Sequence, residues 1–116
     1  MRRVSKPWGE EIIFAENERY AGKVLVVNRG EILSLQYHDR KDETFYLARG
    51  KARLWIEEAG KLVEVIMNPG DARRVTPGTQ HRLEALEDSE LFEVSTPELD
   101  DVVRLEDRYG REDTKN

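Results

Sequence analysis

Gln36, His38 and Glu43 are the residues of this 116-residue chain whose types and spacing could do chemistry. One residue separates Gln36 from His38 and four separate His38 from Glu43, with five residues between Gly30 and Gln36 and six between Glu43 and Gly50. An imidazole, a carboxylate and an amide oxygen can all bind a first-row divalent ion, at bonds of about 2.0–2.2 Å. Ile32-Leu33-Ser34-Leu35-Gln36-Tyr37-His38 is rich in β-formers, and so is the stretch from Thr44 to Ala48. Strand alternation puts Gln36 and His38 on one face, roughly 6–7 Å apart at Cα. The polar run Asp39-Arg40-Lys41-Asp42 suits a hairpin connection, which would set Glu43 opposite His38 and bring the donors to one point.

The elements that must hold these donors read as strands throughout. Lys23-Val24-Leu25-Val26-Val27 is a strand of buried character, and Asn28-Arg29-Gly30 turns it toward the donor segment. Ala52 to Glu57 places Leu54 and Ile56 on one face and Arg53, Trp55 and Glu57 on the other. Further strands are expected from Leu62 to Met67, Ala72 to Thr76, His81 to Ala85 and Glu90 to Ser95, with turns at Ala59-Gly60, Asn68-Pro69-Gly70 and Pro77-Gly78-Thr79. Lys6-Pro7-Trp8-Gly9 precedes a short strand through Ile12, Ile13 and Phe14, with Trp8 covering one end of the core. Short strands, frequent turns and no convincing helix argue for an all-β barrel or sandwich.

The length suffices for one domain. A 37% share of charged residues and a net charge of −5, with signs mixed along the chain, leave no basic block, so no nucleic-acid partner is expected. Cysteine is absent, which rules out disulfides and thiolate ligands and fits a cytoplasmic setting. No apolar run approaches the roughly 20 residues of a membrane span, and no signal peptide is read at the N-terminus.

The spacing from Gly30 to Gly50 resembles the first motif of the cupins, G-x5-H-x-H-x(3,4)-E-x6-G, with Gln36 in place of the first His. From Gly70 the chain resembles the second motif, G-x5-P-x-G-x2-H-x3-N: Gly78 and His81 are in register, while Thr76 stands for the Pro and Ala85 for the Asn. Gln-x-His is characteristic of cupins similar to phosphomannose isomerases. More specifically, Lys6-Pro7-Trp8-Gly9, Ser34-Leu35-Gln36, His81-Arg82-Leu83-Glu84 and the tail from Asp100 to Arg111 resemble the C-terminal cupin domain of bifunctional mannose-1-phosphate guanylyltransferase/mannose-6-phosphate isomerase proteins. Lys6 holds a place usually taken by Arg.

That resemblance implies a single jelly-roll cupin domain (a double-stranded β-helix) over residues 1–111, with a short C-terminal arm and a frayed tail at 112–116. The arm itself reads as too charged to build core, and as a short helix or a strap across the barrel. The resemblance also implies the metal set Gln36, His38, Glu43 and His81, holding one divalent ion per chain. Zinc comes first; manganese, iron, nickel and cobalt are alternatives the donors do not exclude. The implied activity is aldose–ketose isomerisation of a sugar phosphate, mannose 6-phosphate to fructose 6-phosphate, in which a base moves a proton between C1 and C2 of the opened sugar. Lys6 and Tyr37, with Glu11, are the candidates for that base. Arg40, Arg74 and Arg82 are the candidate phosphate ligands among the cations near the motifs, which also include Lys41 and Arg73. Strict alternation from His81 turns Arg82 away from the cavity unless the strand is bulged. A homodimer is expected by resemblance.

Two other function classes fit the same residues. A small cupin dioxygenase would need iron and oxygen but no phosphate-binding cations. A non-catalytic sugar-binding cupin would tolerate the departures at Asp39, Arg40, Thr76 and Ala85. Two histidines alone would be unremarkable in a chain of this size; the two-motif spacing is what makes them specific.

Overall fold

The computed structural model describes residues 1–112, and among these it contains strands and turns but no helix. The strands are β1 (Arg2–Lys6), β2 (Gly9–Glu16), β3 (Ala21–Val27), β4 (Leu35–Tyr37), β5 (Glu43–Arg49), β6 (Ala52–Glu58), β7 (Lys61–Met67), β8 (Ala72–Val75), β9 (His81–Ala85), β10 (Ser89–Ser95) and β11 (Val103–Glu106). They form two antiparallel sheets. One has six strands in the order β1-β2-β3-β10-β5-β8, the other five in the order β11-β4-β9-β6-β7. The inward faces meet in a core of Trp8, Leu25, Val27, Phe45, Leu47, Leu54, Ile56, Leu83 and Leu91, all nearly inaccessible to solvent. Each large side chain buried there contributes about 1.5–3 kcal/mol.

Alternation explains most of this. In β6 and β9, Ala52, Leu54, Ile56, His81, Leu83 and Ala85 are buried while their chain neighbours are half-exposed. Trp8 is buried within the core, and its carbonyl accepts a hydrogen bond from the Asn28 N–H at 3.0 Å.

Besides β1, which the sequence reading does not anticipate, three elements differ from the sequence expectation. The run from Asp39 to Asp42 does not close a hairpin: β4 pairs with β9 and β11, β5 pairs with β10 and β8, and the four residues cross from one sheet to the other. A short polar linker serves a crossing between stacked sheets as well as a hairpin. The donor segment forms a strand only at Leu35–Tyr37, with Ile32 reduced to an isolated bridge to Glu84. The arm is neither a helix nor excluded from the interior, since β11 pairs with β4 and buries Arg104, with Val102 buried just ahead of it. Of the segment expected to fray, residues 113–116 lie outside the described residues. No helix among the described residues is long and apolar enough to cross a membrane.

Candidate metal centre

Four local facts bring the donors together. Gln36 on β4 and His81 at the start of β9 are cross-strand partners, so their side chains leave the same face of the five-stranded sheet. His38 follows the end of β4, and Glu43 begins β5 on the opposing sheet. Ligand atoms of His38, Glu43 and His81 all lie within 4.8 Å of one another. Glu43 Oε1 is 3.3 Å from His38 Nε2 and 3.1 Å from His81 Nε2.

The far side of each ring decides what these atoms are. His38 Nδ1 is 2.5 Å from the Asp101 carbonyl oxygen, and His81 Nδ1 is 2.9 Å from that of Thr79. A carbonyl can only accept, so each neutral ring donates from Nδ1 and turns a bare Nε2 lone pair inward. Two lone pairs and a carboxylate oxygen then face one another, buried and without a hydrogen-bond donor. Buried acceptors left in that state cost about 1–3 kcal/mol each. A divalent cation at their centre would satisfy all three, so the residues present fit a metal. Burial pushes the Glu43 carboxyl up, but the Lys41 ammonium beside it works the other way, and the group lies well below the usual carboxylate range. Lys41 Nζ lies 3.0 Å from Glu43 Oε2 and 3.0 Å from Glu93 Oε2. Although burial pulls the Lys41 ammonium down, Glu93 and Glu43 raise it above its ordinary value.

These donors open into a tight cavity of about 50 Å³, room for an ion and a few waters. A ladder of alternating charges runs along its wall. From Lys41 and Glu93 it passes to Lys23 at 3.8 Å, from Lys23 to Glu11 at 2.8 Å, and from Glu11 to Lys6 at 3.4 Å. Burial lowers the Lys6 ammonium, Glu11 partly restores it, and Lys23 and Arg104 lower it further. Burial raises the Glu11 carboxyl, but Lys23 and Lys6 bring it below its ordinary value.

The residues picked out by sequence divide into two groups. Gln36, His38, Glu43 and Lys6 line the cavity, and His81 joins the donors from β9. Tyr37, a candidate base by sequence, sits between two inward residues and is not part of the lining. The candidate phosphate ligands also lie elsewhere. Arg40 is exposed, and its backbone N–H donates to Asp101 Oδ2 at 2.7 Å. Arg74 is exposed and forks onto Asp42 at 3.0 and 2.5 Å. Arg82 donates to the Leu33 carbonyl at 2.9 Å and borders a separate shallow groove with Trp55 and Leu62, as alternation from His81 requires. Arg73 pairs with Glu58. The cations of the cavity are instead Lys6, Lys23, Lys41, Arg104 and Arg111. Sequence reasoning missed Lys23, Glu93 and Arg104, although a signal existed. Lys23 shares strand parity with Leu25 and Val27, and Glu93 shares it with Leu91; a charge at an inward position is a site signal.

Comparison with known proteins now bears on this geometry. Residues 1–107 match the family described as mannose-6-phosphate isomerase C-terminal. The mannose-1-phosphate guanylyltransferase ManC of Salmonella typhimurium is 36% identical over 115 residues, covering 95% of this chain and 23% of the relative. The mannose-1-phosphate guanylyltransferase of Escherichia coli K12 is 34% identical over 115 residues with the same coverage, 95% and 23%. This chain therefore spans under a quarter of the length of those relatives. Among solved structures, KdgF from Halomonas sp. superimposes with a TM-score of 0.72 at 24% identity, over 84% of this chain and 86% of the other. Oxalate decarboxylase from Bacillus subtilis gives 0.75 at 23% identity, over 90% and 30%. At such identities the likeness is one of fold.

Proposed function

The chain belongs to the mannose-6-phosphate isomerase C-terminal family and has the cupin fold, and on that premise we propose that it is a metal-dependent isomerase interconverting mannose 6-phosphate and fructose 6-phosphate. The observation that carries this reading is the buried convergence of His38 Nε2, His81 Nε2 and Glu43 Oε1 beside a cavity rich in cations. His38, His81 and Glu43, joined by the amide oxygen of Gln36, would hold the ion, with zinc the leading choice. A divalent ion there would supply Lewis-acid polarisation of oxygens on adjacent carbons. With one carboxylate in the set, its charge is only half neutralised.

The remaining work belongs to side chains of the wall. Isomerisation takes a proton from C2 of the opened aldose and returns one to C1, while the hydroxyl proton passes from the oxygen on C2 to the oxygen on C1, with no net change in composition. Glu11, ionised and held between Lys6 and Lys23, and Lys6, whose ammonium burial has weakened, are the cavity groups able to accept and return it. Water is limited by the tight cavity and by the arm residues Leu99 and Val102 at its edge. Two copies are proposed to pair through the outer face of the six-stranded sheet, where Phe14, Tyr46, Phe92 and Val94 are exposed.

The test is turnover of mannose 6-phosphate by protein loaded in turn with zinc, manganese, iron, nickel and cobalt, with His81→Ala as control. Turnover with about one ion per chain, absent in the control, supports the isomerase. Bound metal without turnover moves the reading to a sugar-binding cupin, and oxygen consumption by the iron form moves it to a dioxygenase. Failure to load any metal removes the centre.

A further inference from the structure

Resting on the metal-centre reading, we propose that Lys41 is a positioning residue of that centre: it holds the Glu43 carboxylate to a single donor oxygen and so keeps a coordination position open to an incoming ligand. The two oxygens of Glu43 face different partners. Oε1 lies 3.3 Å from His38 Nε2 and 3.1 Å from His81 Nε2, on the side where an ion would sit. Oε2 lies 3.0 Å from Lys41 Nζ. A carboxylate can offer a metal one oxygen or both. An ammonium against the second oxygen occupies its lone pairs and repels a cation that approaches them. With Gln36, His38 and His81, one oxygen of Glu43 completes a set of four protein donors, and the second oxygen would claim a fifth place. The proposed chemistry asks for two neighbouring places, for oxygens on adjacent carbons.

Lys41 is fixed in this role at both ends. Its ammonium lies 3.0 Å from Glu93 Oε2 as well, and Glu93 is held in turn by Lys23 at 3.8 Å. Lys41, Glu43 and Glu93 are all buried, so water does not readily replace one partner by another. The backbone is tied on either side of Lys41. The N–H groups of Asp39, Arg40 and Lys41 donate to the Asp101 carboxylate at 3.0, 2.7 and 3.0 Å. The Asp42 N–H donates to Thr96 Oγ1 at 3.0 Å, and the Asp42 carbonyl accepts the Thr96 N–H at 3.0 Å. Asp101 also offers the carbonyl that holds His38 Nδ1, so a single residue sets both a donor ring and the lysine that limits Glu43. Charge balance alone does not explain a lysine here. A divalent ion at Oε1 already answers the charge of Glu43, and an ammonium beside it weakens the hold on that ion.

Cobalt(II) is the probe, because its visible bands weaken as its coordination number rises. The full chain is loaded with cobalt as wild type, as Lys41→Met, and as Lys41→Met combined with Glu93→Gln. Each is then titrated with acetohydroxamate, which offers a metal two oxygens on adjacent atoms. Both variants should keep stoichiometric cobalt, show weaker visible bands, and bind acetohydroxamate about tenfold less tightly than wild type. Lys41→Met alone leaves Glu93 with only Lys23 and can misfold, so the double variant, which removes the stranded charge, decides. Unchanged bands and unchanged acetohydroxamate affinity in the double variant overturn the proposal, because Lys41 then acts on the ion by charge alone. Loss of cobalt from a folded double variant also overturns it, since a freed carboxylate should hold the ion at least as well. The two readings fail separately: no cobalt in wild type removes the centre and this role with it, whereas a double-variant spectrum equal to that of wild type removes the role alone.

Discussion

The His38 and His81 rings are each committed by one hydrogen bond on the side away from the centre, and that bond leaves each Nε2 turned toward Glu43 in a position suited to a metal ion. Replacing His81 by Ala should abolish stoichiometric metal, and Glu43→Gln should weaken it strongly, because the only negative donor is lost; elemental analysis after dialysis against a chelator reads both. The carbonyl that holds His38 belongs to Asp101, whose carboxylate also accepts the N–H groups of Asp39, Arg40 and Lys41 at 3.0, 2.7 and 3.0 Å. Burial raises this carboxyl, but the three N–H bonds bring it below its ordinary value. A depressed carboxyl stabilises the fold above its unfolded pKa of about 3.9 and loses that contribution as pH falls toward the folded value. Asp101→Asn should therefore show a smaller drop in Tm than wild type between about pH 5 and pH 3. Parallel acid limbs in the two proteins would show that Asp101 contributes nothing to acid stability.

Strands and turns place these residues, and the motif glycines differ in what they do. Gly50 ends β5 with φ +98°, and a Cβ there would lie 2.4 Å from the Asp88 carbonyl oxygen and 2.4 Å from Ser89 Oγ. Gly70 has φ +96° but open space around the same position. Gly70→Ala should cost about 1–2 kcal/mol of backbone strain, whereas Gly50→Ala adds a clash with backbone and should cost about 3 kcal/mol or more. Urea denaturation midpoints separate the two, and equal costs would mean that the chain around Ser89 yields freely. Strand identity was readable from parity and turns, as in β6 and β9. Sheet membership was not, because Asp39 to Asp42 fits a hairpin and a crossing equally well. The strand in the arm was hidden by its charge: the residue that β11 turns inward is Arg104, and its register with β4 shifts before Glu106.

At the scale of the whole molecule, the convergence of His38, Glu43 and His81 was legible because two spaced motifs name them, even though the hairpin invoked to join them does not exist. The cations of the cavity were not legible, because closeness in sequence to the motifs picked Arg40, Arg74 and Arg82, while the barrel brings in Lys23 and Arg104 from strands far along the chain. The outer surface poses a separate question. On the six-stranded sheet Phe14 meets Phe92 edge-on at 6.3 Å and Tyr46 lies 6.3 Å from Phe92 on the other side, with Val94 beside them, 54% exposed. Clustered apolar side chains of this size mark an interaction surface. The charges at its margin are already matched within the chain, Arg49 with Glu90 at 2.7 Å and Arg74 with Asp42, so two copies can meet there despite a net charge of −5 each. A two-fold axis through Phe92 would stack the same patch on itself. Light scattering should then give twice the 13.5 kDa chain mass for wild type and the single mass for Phe92→Ser. Metal content should be equal in the two, since Phe92 faces outward while Leu91 and Glu93 face the core and cavity. A wild-type monomer at about 100 μM would leave this face without a role in pairing, because an interface of useful size holds well below that concentration.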